Sequence, residues 1–190
     1  MTNPFLIVLD INNTLISKIK REDKDTLNQL DKSLLFGIPH YFLLKRPFTD
    51  LFIRFLESHD LKYVIWSTAL KKNVKKMAVY LENLGYKFDG FFGQEECEEG
   101  EYPGMKTKKH VKNLEVITKE FKIPIENCIL VDDSTQKSVK GQNFLKIKEI
   151  DLLKEDEELI RIGLEIDKFI KCKKECEIKK YIKGGNKGRD

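Results

Sequence analysis

Polar residues that could do chemistry together stand where apolar runs of this 190-residue chain stop. Asp10 ends "FLIVL", Ser67 ends "YVIW", and the pair Asp132 and Asp133 ends "CILV". Continuous apolar and β-branched runs of this length suit strands buried on both faces of a parallel sheet, and ligands of such sheets bind beyond the strands' carboxyl ends. The four polar residues should therefore converge. Carboxylates brought together repel one another and call for a cation, and an all-oxygen set with few protein ligands suits Mg²⁺. Each residue taken alone could simply cap a following helix. For all three strand ends at once, a site is the better account.

The elements that must position these residues alternate along the chain. Helical spacing of apolar residues runs over Phe48 to Ser58, Leu70 to Leu84 and Thr107 to Phe121. A fourth helix begins near Leu153 and passes through Leu159, Ile162, Ile166 and Ile170, and a weaker strand, "FLKIKEI", starts at Phe144. Strands alternating with helices predict an α/β domain, a central mainly parallel sheet flanked by helices. Two stretches break the rhythm: a lysine-rich piece from Lys18 to Lys45 and a turn-rich piece from Gly85 to Gly104. Both read as small insertions at one edge of the sheet, neither long enough to fold as a large cap. Residues 1–171 are expected to form one domain and residues 172–190 a basic, partly disordered tail.

Composition limits the function classes. With 41% hydrophobic and 35% charged residues, no apolar run approaches the roughly 18–20 residues of a membrane span. The first residues lack a basic leader, so an intracellular protein, nuclear or cytoplasmic, is expected. Of 35 basic residues, nine lie in 168–190 against three acids, so the net charge of +4 belongs to the tail. A solvated end accounts for it; weak attraction to nucleic acid is the alternative. Cys97, Cys128, Cys172 and Cys176 lack the paired CxxC spacing of a zinc site and read as free thiols. "DINNTL" opens like a calcium loop, but Leu15 stands where glycine is required and Arg21 where a bidentate acid is needed. His110 has no second histidine near it.

"LDINNTL", "VIWSTAL", "VKNL" and "ILVDDS" occur in the order of the four motifs of the haloacid dehalogenase superfamily of phosphohydrolases, which the chain resembles from about Phe5 to Ile166. "LLKRP" and "KNL" are similar to the subgroup of RNA polymerase II C-terminal-domain phosphatases and NLI-interacting-factor-like proteins. The resemblance implies a Rossmann-like fold without a large cap and a Mg²⁺ cofactor. It makes Asp10 the nucleophile that forms an aspartyl-phosphate, a role that needs the phosphoryl charge neutralised. Ser67 then hydrogen-bonds a phosphoryl oxygen, Lys112 pairs with Asp10 and the phosphate, and Asp132 and Asp133 hold the metal directly or through water. The backbone carbonyl of Asn12 is a further ligand, and Thr14 braces the loop. Thr14, Thr68 and Arg46 are candidates to contact substrate or phosphate; Arg46, before Pro47, either opens a helix or lines the cleft. Among Lys106, Lys108, Lys109 and Lys112, in or next to the expected helix, Lys112 is preferred because "KNL" matches the subgroup's "KDL".

Two residues depart from that pattern. Active members carry aspartate two residues after the nucleophile, as general acid and base; here it is Asn12, nearly the same shape without an exchangeable proton. Losing such help costs about 10²–10⁴ in rate. Gln94, in "FFGQEEC", stands where the subgroup tends to carry arginine. The expectation is a phosphatase for phosphoserine or phosphothreonine in a flexible protein segment, such as one like the RNA polymerase II C-terminal domain, impaired by Asn12. The alternatives are an inactive phosphoprotein-binding adaptor and, on the strength of the tail alone, a nucleic-acid end phosphatase.

Overall fold

A computed structural model describes residues 5–100 and 109–185, with side chains described as far as residue 176. The first half runs β1 (Leu6–Leu9), β2 (Ile16–Lys20), α1 (Lys24–Asn28), β3 (Phe36–Ile38), β4 (Tyr41–Lys45), α2 (Thr49–Ser58), β5 (Lys62–Trp66) and α3 (Lys71–Asn83). It continues through β6 (Phe91–Phe92), β7 (Glu98–Gly100), β8 (Lys109–Val111), α4 (Leu114–Phe121), β9 (Cys128–Asp132), β10 (Phe144–Lys146) and α5 (Glu158–Gly185). The main sheet has the order β10-β9-β1-β5-β6 with every pair parallel. β1 and β9 are buried along their whole length, which is why their sequences are apolar without alternation.

Side chains alternate across this sheet and divide the core. Ile7, Leu9, Ile65, Ile129 and Val131 pack with α2, α3 and α5, whereas Leu6, Val8, Val64, Trp66 and Leu130 pack with α4. The helices present the periodic residues that burial requires: Phe52, Ile53 and Leu56 on α2, and Leu159, Ile162, Ile166 and Ile170 on α5. Truncating a fully buried member such as Ile162 to alanine should cost about 2–5 kcal/mol.

Several expected boundaries move. The Lys18–Lys45 insertion carries a sheet of its own, β2, β4 and β3 pairing antiparallel, with α1 between β2 and β3. The helix expected over Thr107–Phe121 starts only at Leu114. Residues 107 and 108 lie outside the described residues, and Lys109–Val111 pairs with β7 through Glu98↔Val111 and Gly100↔Lys109. Asn113 then starts the helix by accepting the Glu115 N–H at 3.1 Å on its side chain. The last helix begins at Glu158 rather than Leu153, where the Asp156 carboxylate accepts the Glu158 N–H at 3.1 Å. It runs unbroken to Gly185, through much of the segment expected to be a solvated tail. Among the described residues no helix is long and apolar enough to cross a membrane.

Candidate active site

The sheet places its site by topology. From β1 the chain proceeds outward to β5 and β6 on one side, then returns to add β9 and β10 on the other, so the order reverses between β1 and β9. A crevice opens beyond the carboxyl ends at such a reversal. Register does the rest: Leu9 lies opposite both Ile65 and Val131, which sets Asp10 level with Asp132 and puts Ser67 one residue beyond it, directly after β5. The Asp10 N–H donates to the Val131 carbonyl at 2.9 Å, tying the first loop to β9.

Asp10, Asp132 and Asp133 form one acidic group whose ligand oxygens lie within 4.8 Å of one another. Two lysines compensate them. Lys112, fully buried, donates from Nζ to Asp10 Oδ1 and to Asp132 Oδ2, both at 2.6 Å. Its backbone fixes that reach, since its N–H donates to the Lys137 carbonyl at 2.7 Å and its carbonyl accepts from Gln142 at 2.8 Å. Lys112 thus sits at the end of β8, not inside a helix. The second cation, Lys137, is one that sequence reasoning missed: its Nζ lies 2.8 Å from Asp133 Oδ1, 3.1 Å from Asp132 Oδ1 and 3.6 Å from Asp10 Oδ2.

The titration of these groups follows from burial and from each other. Burial pushes the Asp132 carboxyl above its ordinary range, Lys112 pulls it back and Asp10 raises it further. Burial works to raise Asp133 too, yet its contacts with Asp132, Lys137 and Asn13 hold it below the usual value. Burial would lower the Lys137 ammonium, but the carboxylates of Asp10, Asp132 and Asp133 outweigh it and hold it above an ordinary lysine.

The loop after Asp10 is a tight turn. Asn13 adopts φ 61° and Ile11 O accepts from both Leu15 and Ile16 at 3.0 Å. Asparagine tolerates that left-handed backbone, a signal in the sequence that would have marked Asn13 as the pivot. Its side chain also reaches Asp133 Oδ2 at 3.4 Å. Three buried oxygens in this turn accept or donate no hydrogen bond: Asp10 Oδ2, Asn12 Oδ1 and Thr14 Oγ1. Unsatisfied buried polar atoms are costly, so their clustering at one loop is a mark of a ligand site. Thr14 braces the loop through its carbonyl, which accepts from Arg46 at 3.3 Å.

Directly after β5, Ser67 is buried, and its Oγ accepts the Ala69 N–H at 3.3 Å, which leaves its own O–H to donate elsewhere; Thr68 beside it is half-buried. Gln94 donates its N–H to the Ala69 carbonyl at 2.8 Å and so borders the same loop. Arg46 does not line the cleft. Its Nε meets Asp156 Oδ1 at 3.1 Å, Nη1 meets the Asn13 and Thr14 carbonyls at 2.9 and 3.3 Å, and Nη2 meets the Lys148 carbonyl at 2.7 Å and Asp156 Oδ2 at 2.9 Å. Four hydrogen bonds and an ion pair turn the buried guanidinium into the fold rather than toward a phosphate.

A parallel five-stranded sheet with helices on both faces and acids at its switch point agrees with the fold of haloacid dehalogenase-type hydrolases that the motifs imply. This chain belongs to the NLI interacting factor-like phosphatase family, whose sequence model matches residues 5–178. No curated protein matches it. Among solved structures, the fission yeast RNA polymerase II CTD phosphatase Fcp1 bound to beryllium fluoride is similar at a TM-score of 0.56 and 15% identity, over 88% of this chain and 51% of that one. The chain therefore spans about half the length of that Fcp1 structure. A haloacid dehalogenase-superfamily hydrolase from Ehrlichia chaffeensis is similar at 0.54 and 16% identity, over 90% of this chain and 99% of that one. A related hydrolase from Xanthomonas campestris gives 0.55 and 11%, over 87% and 91%. Identities this low speak for the fold.

Proposed function

We propose that this chain carries the architecture of a Mg²⁺-dependent phosphatase for phosphoserine or phosphothreonine in a protein segment, working through an aspartyl-phosphate on Asp10 and slowed by Asn12. One observation carries the reading. A carboxylate at the end of the central strand is gripped on one oxygen by a buried lysine, and its other oxygen, also buried, accepts no hydrogen bond. The donor set fits a hard divalent cation: all oxygen, crowded, and with Asp10 Oδ2 unsatisfied. Asp10, Asp132, Asp133 and the Asn12 carbonyl would hold Mg²⁺, which supplies charge neutralisation for the phosphoryl group.

Each residue then has a task. Lys112 fixes the Asp10 carboxylate and adds positive charge beside the phosphoryl oxygens, and Ser67 donates its O–H to one of them. A carboxylate oxygen of Asp10 bonds to phosphorus as the bond to the serine or threonine oxygen breaks. That leaving oxygen takes its proton from solvent, because the Asn12 amide cannot release one. Water then attacks phosphorus, its proton going to solvent rather than to residue 12, and Asp10 and inorganic phosphate are set free.

The test is turnover of p-nitrophenyl phosphate and of a phosphoserine peptide with Mg²⁺, for this chain and for Asn12→Asp. A gain of about 10²–10⁴ is expected, larger on the peptide, whose alkoxide leaves less readily than p-nitrophenolate. A folded, Mg²⁺-binding aspartate form with no activity would sink the enzyme reading. The second reading, an adaptor that holds phosphoproteins without turning them over, rests on Asn12 itself. It predicts phosphopeptide binding in the original chain and no gain on substitution.

A further inference from the structure

The three carboxylates already hold a cation that belongs to the chain. Lys137 Nζ contacts one oxygen from each member of the acidic group, at 2.8 Å for Asp133, 3.1 Å for Asp132 and 3.6 Å for Asp10. The oxygen it meets on Asp10 is the one that accepts no hydrogen bond. The two lysines of the site differ in how they are held. Lys112 has no exposed side-chain surface, and its N–H donates to the Lys137 carbonyl at 2.7 Å, so the two backbones are tied and only the side chains differ. Lys137 follows exposed Thr135 and Gln136 on a single short turn, and 26% of its side chain meets solvent. Its side chain, unlike that of Lys112, already borders solvent.

A magnesium ion binds oxygen at about 2.0–2.1 Å. Lys112 already takes Asp10 Oδ1 and Asp132 Oδ2, so an ion bound to these two acids would need Asp10 Oδ2 and Asp132 Oδ1, the oxygens that Lys137 Nζ faces, and the two cations compete for them. Resting on the Mg²⁺ reading above, we infer that Lys137 is a tethered counter-ion that fills the cation site of the metal-free protein and must swing out before Mg²⁺ binds.

Charge arithmetic gives this exchange a consequence. Three carboxylates and two ammoniums sum to −1, so the Lys137-filled cluster repels a phosphate dianion. Mg²⁺ in place of the Lys137 ammonium makes the cluster neutral and leaves a free cation at its mouth. Phosphate should therefore bind well only after the exchange.

Calorimetric titration with MgCl₂ tests the inference on the whole chain, comparing the original protein, Lys137→Met and, as a control, Lys140→Met, which alters a lysine outside the cluster. Lys137→Met should bind Mg²⁺ about tenfold more tightly or better, and Lys140→Met should match the original. Equal or weaker affinity in Lys137→Met overturns the inference while leaving the metal site intact. Absence of Mg²⁺ binding in all three proteins removes the metal reading and this inference together. A second measurement needs no variant: acetylation of lysines in the original protein, read by mass spectrometry. Saturating Mg²⁺ should expose Lys137 and raise its labelling, and unchanged or reduced labelling where calorimetry shows binding would count against the exchange.

Discussion

Arg46 directs its guanidinium into the chain around it through four hydrogen bonds and an ion pair, whereas the lysines at Asp10 leave that carboxylate with an oxygen to which no group donates. Both regions are buried clusters of opposite charge, and both join segments about a hundred residues apart. The Arg46 cluster is closed: one guanidinium, one Asp156 carboxylate and three carbonyls use each other up. The Asp10 cluster is open, with an excess acid, a partly exposed cation and orphaned oxygens. Buried charge that is fully satisfied holds a fold together; buried charge left short by design of the chain marks the place where something else binds.

The hardest blow to this contrast is at its closed end. Arg46→Met keeps most of the volume but leaves Asp156 buried and unpaired and frees the carbonyls of Asn13, Thr14 and Lys148. Breaking a buried pair from one side costs roughly 3–5 kcal/mol, so urea denaturation should show a loss of that size. A loss near zero would mean that Arg46 is not an architectural clamp.

The open end should respond in the opposite sense. Asp10→Asn takes the cluster from −1 to neutral while both lysines keep carboxylate partners. In EDTA its stability should hold or rise by about 1 kcal/mol, because one of several crowded like charges is gone. Introduced alongside Asn12→Asp, the same change should remove turnover by about 10³-fold or more. Destabilisation comparable to Arg46→Met would erase the distinction between the two clusters.

What the sequence shows of these clusters depends on distance along the chain. Asp10, Ser67 and Asp132 were legible because each terminates a run that must be a buried strand, and parallel pairing leaves few ways to align three such ends. Arg46 was ambiguous, since Pro47 says nothing about Asp156, 110 residues later. Lys112 was legible as a residue and misplaced as an element: the lysine-rich stretch before it pairs with β7, a partner that no local pattern announces. Lys137 was missed because a lysine four residues after an acid looks like an ordinary surface pair. Only the convergence of β1 and β9 turns it into a neighbour of three acids.

Between the closed and open extremes lies Glu158, two residues beyond Asp156 at the start of α5. It accepts from Arg161 Nη2 at 2.7 Å and from the Lys148 N–H at 3.1 Å, extending the Arg46 clamp toward solvent. The Arg161 hydrogen bonds chiefly, against the pull of burial, hold its carboxyl down at about 2 from an ordinary 4.5. A depressed folded value means that its contribution to stability is complete above the unfolded value, about 4.5, and is lost as pH falls toward 2. Arg161 is partly exposed, so screening reduces the effect to the order of 1 kcal/mol. Glu158→Gln should therefore be less stable than the original chain at pH 6 by about that amount, and the gap should close between pH 4.5 and pH 2. A gap that stays constant across that range would assign the loss to packing or helix capping, and the charged part of the clamp would end at Asp156.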